Sequence, residues 1–403
     1  MRRYSLQINM NAFSYRVQTL QPSAIREILK FTADPTVISF AAGNPAPEAF
    51  PAEEIKRITN EILSEQPIDA LQYSITEGYT PLRNWIKADL EKKNMFDAGE
   101  EDVVITSGAQ QAIEVVTKEI CNEGDVIICE APTFIGSLNA FRSYNAKLVG
   151  IDMDEDGINI EMLEKALEKY QRVAFIYLIP NFQNPTGKTM SLEKRKAVLE
   201  LAKKHNIYIL EDNPYGDLRY LGDDIPTIKS LDTTGHVLYA GTFSKTLAPG
   251  LRVGYLCAPK NVISKAVVCM QVSTVHTSIL PQMIAYRFVT ENDFEAHLER
   301  LRGIYRKKSE LMLSNLKMQM PKSIKFTEPE GGLFIWGTLP DGDMNYFCKK
   351  AVQNKVAVVP GNAFLTDESK PCLSFRLNYS TPTDEQIEQG VKILAEVART
   401  MYR

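Results

Sequence analysis

The chain has 403 residues, of which 44% are hydrophobic and 24% are charged. This length and composition predict a globular protein with a substantial core and two domains. Its 46 basic and 50 acidic residues give a formal net charge of −4, which argues against a broad surface for nucleic acid or anionic membrane. We therefore expect neither nucleic acid nor a membrane as a partner.

Targeting and metal-binding patterns are missing from the sequence. No apolar run approaches the roughly 20 residues of a membrane-spanning helix, and the basic N-terminus lacks the apolar core of a secretion signal. The six cysteines are scattered without CxxC spacing, and the four histidines are isolated. The sequence thus predicts a cytoplasmic protein with reduced thiols and no metal.

An N-terminal arm, residues 1–50, contains one predicted helix over 23–31 and is expected to pack with the small domain and the active site. Residues 51–295 then alternate helical patterns, such as 110–121 and 191–204, with short β-branched runs. The predicted strands of this large domain are 103–106, 125–129, 173–179, 207–210, 236–239 and 253–257. Such alternation predicts an α/β fold with a mixed, mostly parallel sheet flanked by helices.

Residues 296–403 have a different pattern and predict a smaller α+β C-terminal domain. A long helical region over 291–320 leads into it, and its predicted strands are 331–337, 356–359 and 373–377. The last helix, 383–399, is expected to start with a capping box between Thr383 and Gln386.

One stretch, residues 241–255, puts Lys245 between two predicted buried strands and adds Arg252 seven residues later. A buried ammonium group is costly unless it is paired or used chemically. One interpretation is a Schiff-base lysine with neighbouring hydroxyls and an arginine that holds a phosphate. The other is a surface hairpin with a solvated lysine, and this stretch alone leaves both open.

Further polar residues follow the predicted strands, where open α/β sheets bind their ligands. Residues 107–110 precede a helix and could bind a phosphate, or they are an ordinary turn. Asn184 stands before a proline and could aim its amide into a cleft, although a plain turn is an alternative. Asp212 needs a partner such as a cofactor ring nitrogen, or it caps the next turn, and Tyr215 could donate to a ring oxygen.

The order Asn184, Asp212, Tyr215, Lys245 and Arg252 resembles that of fold-type I pyridoxal-phosphate enzymes. Over nearly its whole length, the sequence resembles class I aminotransferases, in the subgroup of 2-aminoadipate, kynurenine and broad-specificity aromatic or branched-chain aminotransferases. The other stretches that carry this resemblance are 22–29, 37–43, 71–73 with Gly78, 184–187 and 376–378. The resemblance implies ping-pong transfer of an amino group from an L-amino acid to a 2-oxo acid such as 2-oxoglutarate, with pyridoxal 5′-phosphate as cofactor.

The resemblance also implies a role for each residue. Lys245 would bind the cofactor covalently and carry the proton between the substrate α-carbon and the cofactor. Asp212 would keep the pyridine nitrogen protonated, while Asn184 and Tyr215 would bond the phenolic oxygen. Arg376 would clamp the substrate carboxylate. The residues expected around the phosphate are Ser107, Gly108, Ala109, Gln110, Thr242, Ser244 and Arg252.

Other implied contacts concern the partner subunit and the substrate side chain. Tyr73 would reach the phosphate of a neighbouring subunit, which implies a homodimer. Phe134 stands where relatives usually have tyrosine, so it can stack on the ring but donates no hydrogen bond. The backbone of Gly43 could bind the substrate carboxylate, and Arg26 could face an acidic substrate side chain or lie exposed on its helix.

Two other functions stay open at this level. A pyridoxal-phosphate lyase would use the same lysine and aspartate for β-elimination or decarboxylation. A regulator is the third hypothesis, because one transcription-factor family fuses this fold to a winged helix. However, only about 50 residues precede the predicted large domain, and they show no basic helix-turn-helix pattern.

Overall fold

The computed structural model describes residues 13–18, 20 and 34–402. The helix predicted over 23–31 lies outside the described residues, and so does Arg26. Across the described part of the chain, no helix is both long and apolar enough to cross a membrane. All six cysteines are free.

Eight strands form one large mixed sheet, in the order β2-β9-β8-β7-β6-β3-β4-β5. The strands of the chain are β1 (Ile38–Ser39), β2 (Glu101–Thr106), β3 (Val126–Ala131), β4 (Lys147–Asp154), β5 (Gly157–Ile158), β6 (Val173–Leu178), β7 (Tyr208–Asp212), β8 (Val237–Thr242), β9 (Gly254–Pro259), β10 (Lys325–Phe326), β11 (Phe334–Thr338), β12 (Val356–Ala357), β13 (Val359–Pro360) and β14 (Ser374–Asn378). The pairs from β8 through β7, β6 and β3 to β4 are parallel, whereas the outer pairs are antiparallel. The prediction of a mostly parallel mixed sheet is confirmed.

Helices cover both faces of this sheet. The α-helices of the described chain are Tyr15–Gln18, Ala52–Glu65, Pro67–Leu71, Thr80–Lys92, Gly108–Ile120, Ile135–Ser143, Ile160–Lys169, Leu192–His205, Ile228–Leu231, Lys260–Gln271, Ile279–Glu291, Phe294–Gln319, Met344–Gln353 and Asp384–Met401. Successive side chains of β6 enter two separate cores, Phe175 and Tyr177 one and Ile176 and Leu178 the other. This alternation follows from the two-residue period of a strand, and it explains why β6 is apolar on both faces.

The C-terminal part contains a second, antiparallel sheet in the order β10-β11-β14-β13. β1 pairs in parallel with β12, and the Asn378 N–H donates to the Phe40 carbonyl at 2.8 Å. The backbone that follows β1 therefore lies against the end of β14. The last helix begins with the predicted capping box, in which Thr383 and Gln386 bond each other's backbone.

The long helical region predicted over 291–320 is confirmed as the helix Phe294–Gln319. It begins three residues later than predicted, because the preceding helix, Ile279–Glu291, ends at the predicted start. The Asp293 side chain accepts from the Ala296 N–H at 2.9 Å, and the Asn292 amide donates to the Phe288 carbonyl at 3.0 Å. These side chains satisfy backbone groups at the break, as caps do at helix ends.

Candidate active site

A cavity of about 410 Å³ lies where β7 and β8 of the large sheet meet β11 and β14 of the small one. The predicted site residues that line it are Gly43, Ala109, Gln110, Phe134, Asn184, Asp212, Tyr215, Thr242, Ser244, Lys245, Arg252 and Arg376. A larger cavity of about 540 Å³ lies beside the Thr80–Lys92 helix, but it includes only Thr242 of this set. We place the candidate site in the smaller cavity because it holds the buried cations and the buried carboxyl.

Lys245 lies in the connection between β8 and β9 and points into the cavity. Its Nζ donates to the Gly43 carbonyl at 2.8 Å. Burial, together with the positive charges of Arg376 and Arg252, lowers the pKa of this amine to about 8. A lysine with such a pKa is neutral in a large fraction of molecules at mildly alkaline pH, as a nucleophile or base must be.

Replacing Lys245 by methionine is expected to stabilise the cofactor-free protein, and by more at low pH. The unfolded lysine keeps its proton up to its ordinary pKa of 10.5, whereas the folded one loses it near 8. Between these values the unfolded state binds more protons, so wild-type stability rises with pH, and below 8 the full cost of the buried charge remains. Because the cavity admits solvent, we expect an advantage of only about 2 kcal/mol for the variant.

Denaturant unfolding of both cofactor-free proteins at pH 6, 8 and 10 measures this difference. The advantage of Lys245→Met should be largest at pH 6 and should shrink as the pH rises towards 10. An equal difference in the free energy of unfolding at all three pH values would show that folding does not lower the pKa of Lys245. Lys56→Met is a matched control, since this lysine is exposed and, among the described residues, pairs only with the exposed Glu53.

Asp212 is the last residue of β7 and is 3% exposed. Its Oδ2 accepts from the Tyr177 hydroxyl at 2.7 Å, and Tyr177 accepts in turn from Ser137 at 2.7 Å. Its Oδ1 is buried without a hydrogen-bond partner among the described residues. Burial raises the pKa of this carboxyl to about 7, against the opposing hydrogen bond from Tyr177. A buried carboxyl with one free oxygen suits a cationic N–H donor.

The alternative role of Asp212, as a cap for the next turn, is wrong. Asp212 accepts no backbone N–H among the described residues, because its Oδ2 bonds Tyr177 and its Oδ1 has no partner. The neighbouring Glu211 caps a later helix instead, since its carboxylate accepts from the backbone N–H groups of Ile228 and Lys229 at 3.1 and 2.7 Å. These two residues open the short Ile228–Leu231 helix. Since successive side chains of a strand point to opposite faces, Glu211 and Asp212 serve different sides of the sheet.

Donor groups converge at the other end of the cavity, beside the Gly108–Ile120 helix. The Arg252 Nη2 donates to the Ser107 carbonyl at 3.0 Å, and the Thr242 hydroxyl donates to that of Ser244 at 2.9 Å. Gly108 has a φ of 70°, and a Cβ at this position would lie 2.3 Å from Arg252 Nη2. A guanidinium, hydroxyls and the first amides of a helix are the groups that bind phosphate.

Arg376 lies on β14 and is 2% exposed. Its Nη1 donates to the Asn184 side-chain oxygen at 2.8 Å, and its Nη2 donates to the Ala41 carbonyl at 2.7 Å. Its guanidinium lies 4.4 Å from the ring centre of Phe334 and 4.9 Å from that of Phe364. Burial lowers its pKa to about 10, so the group remains a cation at neutral pH. An oriented guanidinium of this kind suits a carboxylate ligand.

Ser107, Gly108 and Tyr73 do not line the cavity. Ser107 and Gly108 contact the arginine that does line it, because the Ser107 carbonyl accepts from Arg252 and Gly108 lies against the Arg252 guanidinium. Tyr73 is 81% exposed, and its ring contacts His276 edge-on. An exposed tyrosine of this size is available to a second subunit, although the structure contains one chain.

Sequence reasoning missed Tyr177, Phe334 and the Gly43 carbonyl as partners of the predicted residues. Tyr177 had a usable signal, because a phenol inside a fully buried strand must find a hydrogen-bond partner. Neither Phe334 nor the Gly43 carbonyl had a signal in the sequence that could have identified it as a partner. Their proximity depends on how the arm and the small sheet pack against the large sheet.

The family described as aminotransferase class I and II matches residues 35–394. The chain is 40% identical over 392 residues to an aromatic-amino-acid aminotransferase of Thermococcus litoralis, covering 96% of this chain and 94% of that protein. Kynurenine aminotransferase of Pyrococcus horikoshii, solved in complex with PMP, superposes with a TM-score of 0.93 at 38% identity, over 97% and 98% of the two chains.

A third similar structure is alpha-aminoadipate aminotransferase of Thermus thermophilus, complexed with N-(5′-phosphopyridoxyl)-L-leucine. It has a TM-score of 0.89 at 35% identity, over 97% of this chain and 98% of that chain. The fold is therefore that of fold-type I pyridoxal-phosphate enzymes. The chain belongs to the class I and II aminotransferase family, and the enzyme is a transaminase.

Proposed function

We propose that this enzyme moves the amino group of a 2-aminoadipate, aromatic or branched-chain L-amino acid to a 2-oxo acid such as 2-oxoglutarate. The observation that carries this proposal is the arrangement of one cavity, in which Lys245 and Asp212 lie close to the Arg376–Asn184 pair. The pair supplies a carboxylate site, and the lysine supplies a base beside it. The names of the similar enzymes support these substrate classes.

The residues of the cavity fit pyridoxal 5′-phosphate. The buried Asp212 Oδ1 has no partner among the described residues, and a protonated ring nitrogen would satisfy it. At the opposite end, Arg252, Ser244 and the start of the Gly108–Ile120 helix suit the phosphate. Phe134 lines the cavity between these ends and offers an aromatic face.

Each residue then contributes a physical step. When bound, pyridoxal phosphate supplies an electron sink that makes the substrate α-proton removable and carries the amino group between the two substrates. Arg376 binds the α-carboxylate, and the neutral Lys245 amine takes the proton from the α-carbon. Asp212 keeps the ring nitrogen protonated, and Tyr177 holds Asp212 in place.

Incubating the purified protein and cofactor with each common L-amino acid and 2-oxoglutarate tests the proposal. We expect glutamate and the matching 2-oxo acid in equal amounts, with the highest kcat/KM for a donor of the proposed classes. Ammonia release without any need for a 2-oxo acid would contradict it.

Gly108→Ala is expected to weaken cofactor binding about tenfold or more, because the new methyl group displaces Arg252 and strains a positive φ. Titration of the cofactor-free protein with pyridoxal phosphate measures the affinity. Gly303→Ala is the matched control, since a Cβ there meets nothing within 4 Å. Equal affinities of the two variants would argue against a phosphate at this end.

The homodimer, the cytoplasmic location and the division of the chain near residues 50 and 295 remain predictions. The 81% exposure of Tyr73 supports the homodimer, because a buried tyrosine could not reach another subunit. Substrate selection by Arg26 also remains a prediction.

A further inference from the structure

A second buried carboxyl lies near Asp212 and has no part in the chemistry above. Glu130 is the last residue but one of β3, and it is 1% exposed. Its carboxyl is close enough to Asp212 for their negative charges to repel each other. An unpaired buried carboxylate is costly, so the bonds that Glu130 makes are informative.

Glu130 Oε2 accepts two hydrogen bonds from the segment that follows β6. The donors are the Ile179 backbone N–H at 3.1 Å and the Gln183 side-chain amide at 3.3 Å. The same amide donates to the Pro132 carbonyl at 2.7 Å. The Gln183 side-chain oxygen accepts from the backbone and the hydroxyl of Thr186 at 3.0 and 2.7 Å. The side chains of Glu130 and Gln183 thus fix the backbone on both sides of residue 184.

Asn184 is the residue that this network holds, and it accepts the hydrogen bond from Arg376 at 2.8 Å. We propose that Glu130 is a positioning residue for the substrate carboxylate, fixing segment 179–187 so that Asn184 aligns Arg376. This inference rests on the proposed function, since it takes Arg376 as the carboxylate site.

The surroundings of Glu130 favour the protonated, neutral form of its carboxyl. Among the described residues, the ionisable groups that interact with its charge are Asp212 on β7, Tyr177 on β6 and the preceding residue on β3, Cys129, none of which is a cation. Its Oε1 has no hydrogen-bond partner among the described residues. Burial raises the pKa of the carboxyl to about 8. When Glu130 is neutral, Asp212 is the only one of the two carboxyls that carries a negative charge. Repulsion between two carboxylates in a region of low dielectric is then avoided.

Two substitutions in the holoenzyme separate positioning from charge. Glu130→Gln is neutral and keeps an acceptor oxygen, so we expect kcat/KM within about threefold of wild type. Its pH profile should match that of the wild type below the Glu130 pKa of about 8, where the wild-type carboxyl is neutral as well. Glu130→Leu removes both accepted hydrogen bonds. We expect it to raise the KM of the amino donor at least about tenfold while kcat changes less, because a displaced carboxylate site weakens ground-state and transition-state binding alike.

Gln183→Leu provides a second route to the same result should Glu130→Leu fold poorly. It leaves the Glu130 carboxyl in place but removes the hydrogen bonds of the Gln183 side chain to Glu130 and Thr186. This variant should also raise the KM of the amino donor. Glu123→Gln is the control, because the side chain of this exposed glutamate bonds only Asn145 within the part of the chain that the structure describes. A readout without turnover is the thermal shift that 2-oxoglutarate causes in the pyridoxal form, which should be smaller in both leucine variants.

An unchanged donor KM in folded Glu130→Leu and Gln183→Leu would overturn the positioning role. A Glu130→Gln enzyme as impaired as Glu130→Leu, or with a pH profile that differs from wild type below the Glu130 pKa of about 8, would overturn the neutral form. Wild-type enzyme that transfers no amino group from any donor would instead sink the proposed function, so the two failures are distinguishable.

Discussion

Lys245→Ala is expected to lower kcat by at least about 10⁴-fold, which is the upper range for loss of a general base, because covalent cofactor binding is lost as well. Among the described residues that line the cavity, Lys245 is the only lysine, so no other amine can replace it. The buried Arg376, with a pKa of about 10, stays protonated at neutral pH and cannot act as a base there. Steady-state kinetics with the best donor and 2-oxoglutarate measure the loss.

Borohydride treatment followed by mass spectrometry gives a second, independent measurement. The cofactor should become attached to residue 245 in the wild type and to no residue in the variant. Lys56→Ala controls for the loss of a lysine, because this side chain is exposed and remote from the cavity lining. If Lys245→Ala kept more than a hundredth of wild-type kcat, Lys245 would not be the base that takes the proton from the α-carbon.

Asp212→Asn is expected to lower kcat by roughly 10²–10⁴-fold, because breaking one partner of a buried charge pair costs about 3–5 kcal/mol. The amide cannot keep the ring nitrogen protonated, so the electron sink is lost while binding of the substrate carboxylate by Arg376 is retained. The effect should therefore appear in kcat and much less in the donor KM. Rapid-mixing measurements of each half-reaction separate the proton-transfer step from product release.

Tyr177→Phe is the graded control for Asp212. It removes one hydrogen bond to Oδ2 and leaves the carboxylate charge, so we expect a loss of only about tenfold. If Asp212→Asn were as mild as Tyr177→Phe, the carboxylate would not be the partner of the ring nitrogen. The pair of variants thus distinguishes the charge of Asp212 from its orientation.

A short stretch of the N-terminal arm contacts both Lys245 and Arg376. Lys245 donates to the Gly43 carbonyl, and Arg376 donates to the Ala41 carbonyl. The backbone over 41–44 therefore lies against both of these side chains. Substitutions in this segment, such as Gly43→Ala, should alter donor preference more than the stability of the large sheet.

Local rules predicted some elements well because their causes are local. The capping box at Thr383 depends on two residues three positions apart, and the strand β6 on a short apolar run. The predicted strand over 356–359 instead divides into β12 and β13, which join different sheets. Four consecutive apolar residues carry no signal for that division, because it is set by partners distant in sequence.

The sequence by itself determined the alternation of helices and strands, the smaller C-terminal domain and the identity of most residues around the cavity. It could do so because apolar periodicity and the motif around Lys245 are properties of short stretches. Only the tertiary structure decided that Asp212 Oδ1 has no partner among the described residues, that Phe334 and Phe364 enclose Arg376, and that Glu130 bonds the residue before Asn184. Those relations join residues tens to hundreds of positions apart, so they arise only when the sheets pack and bury polar groups together.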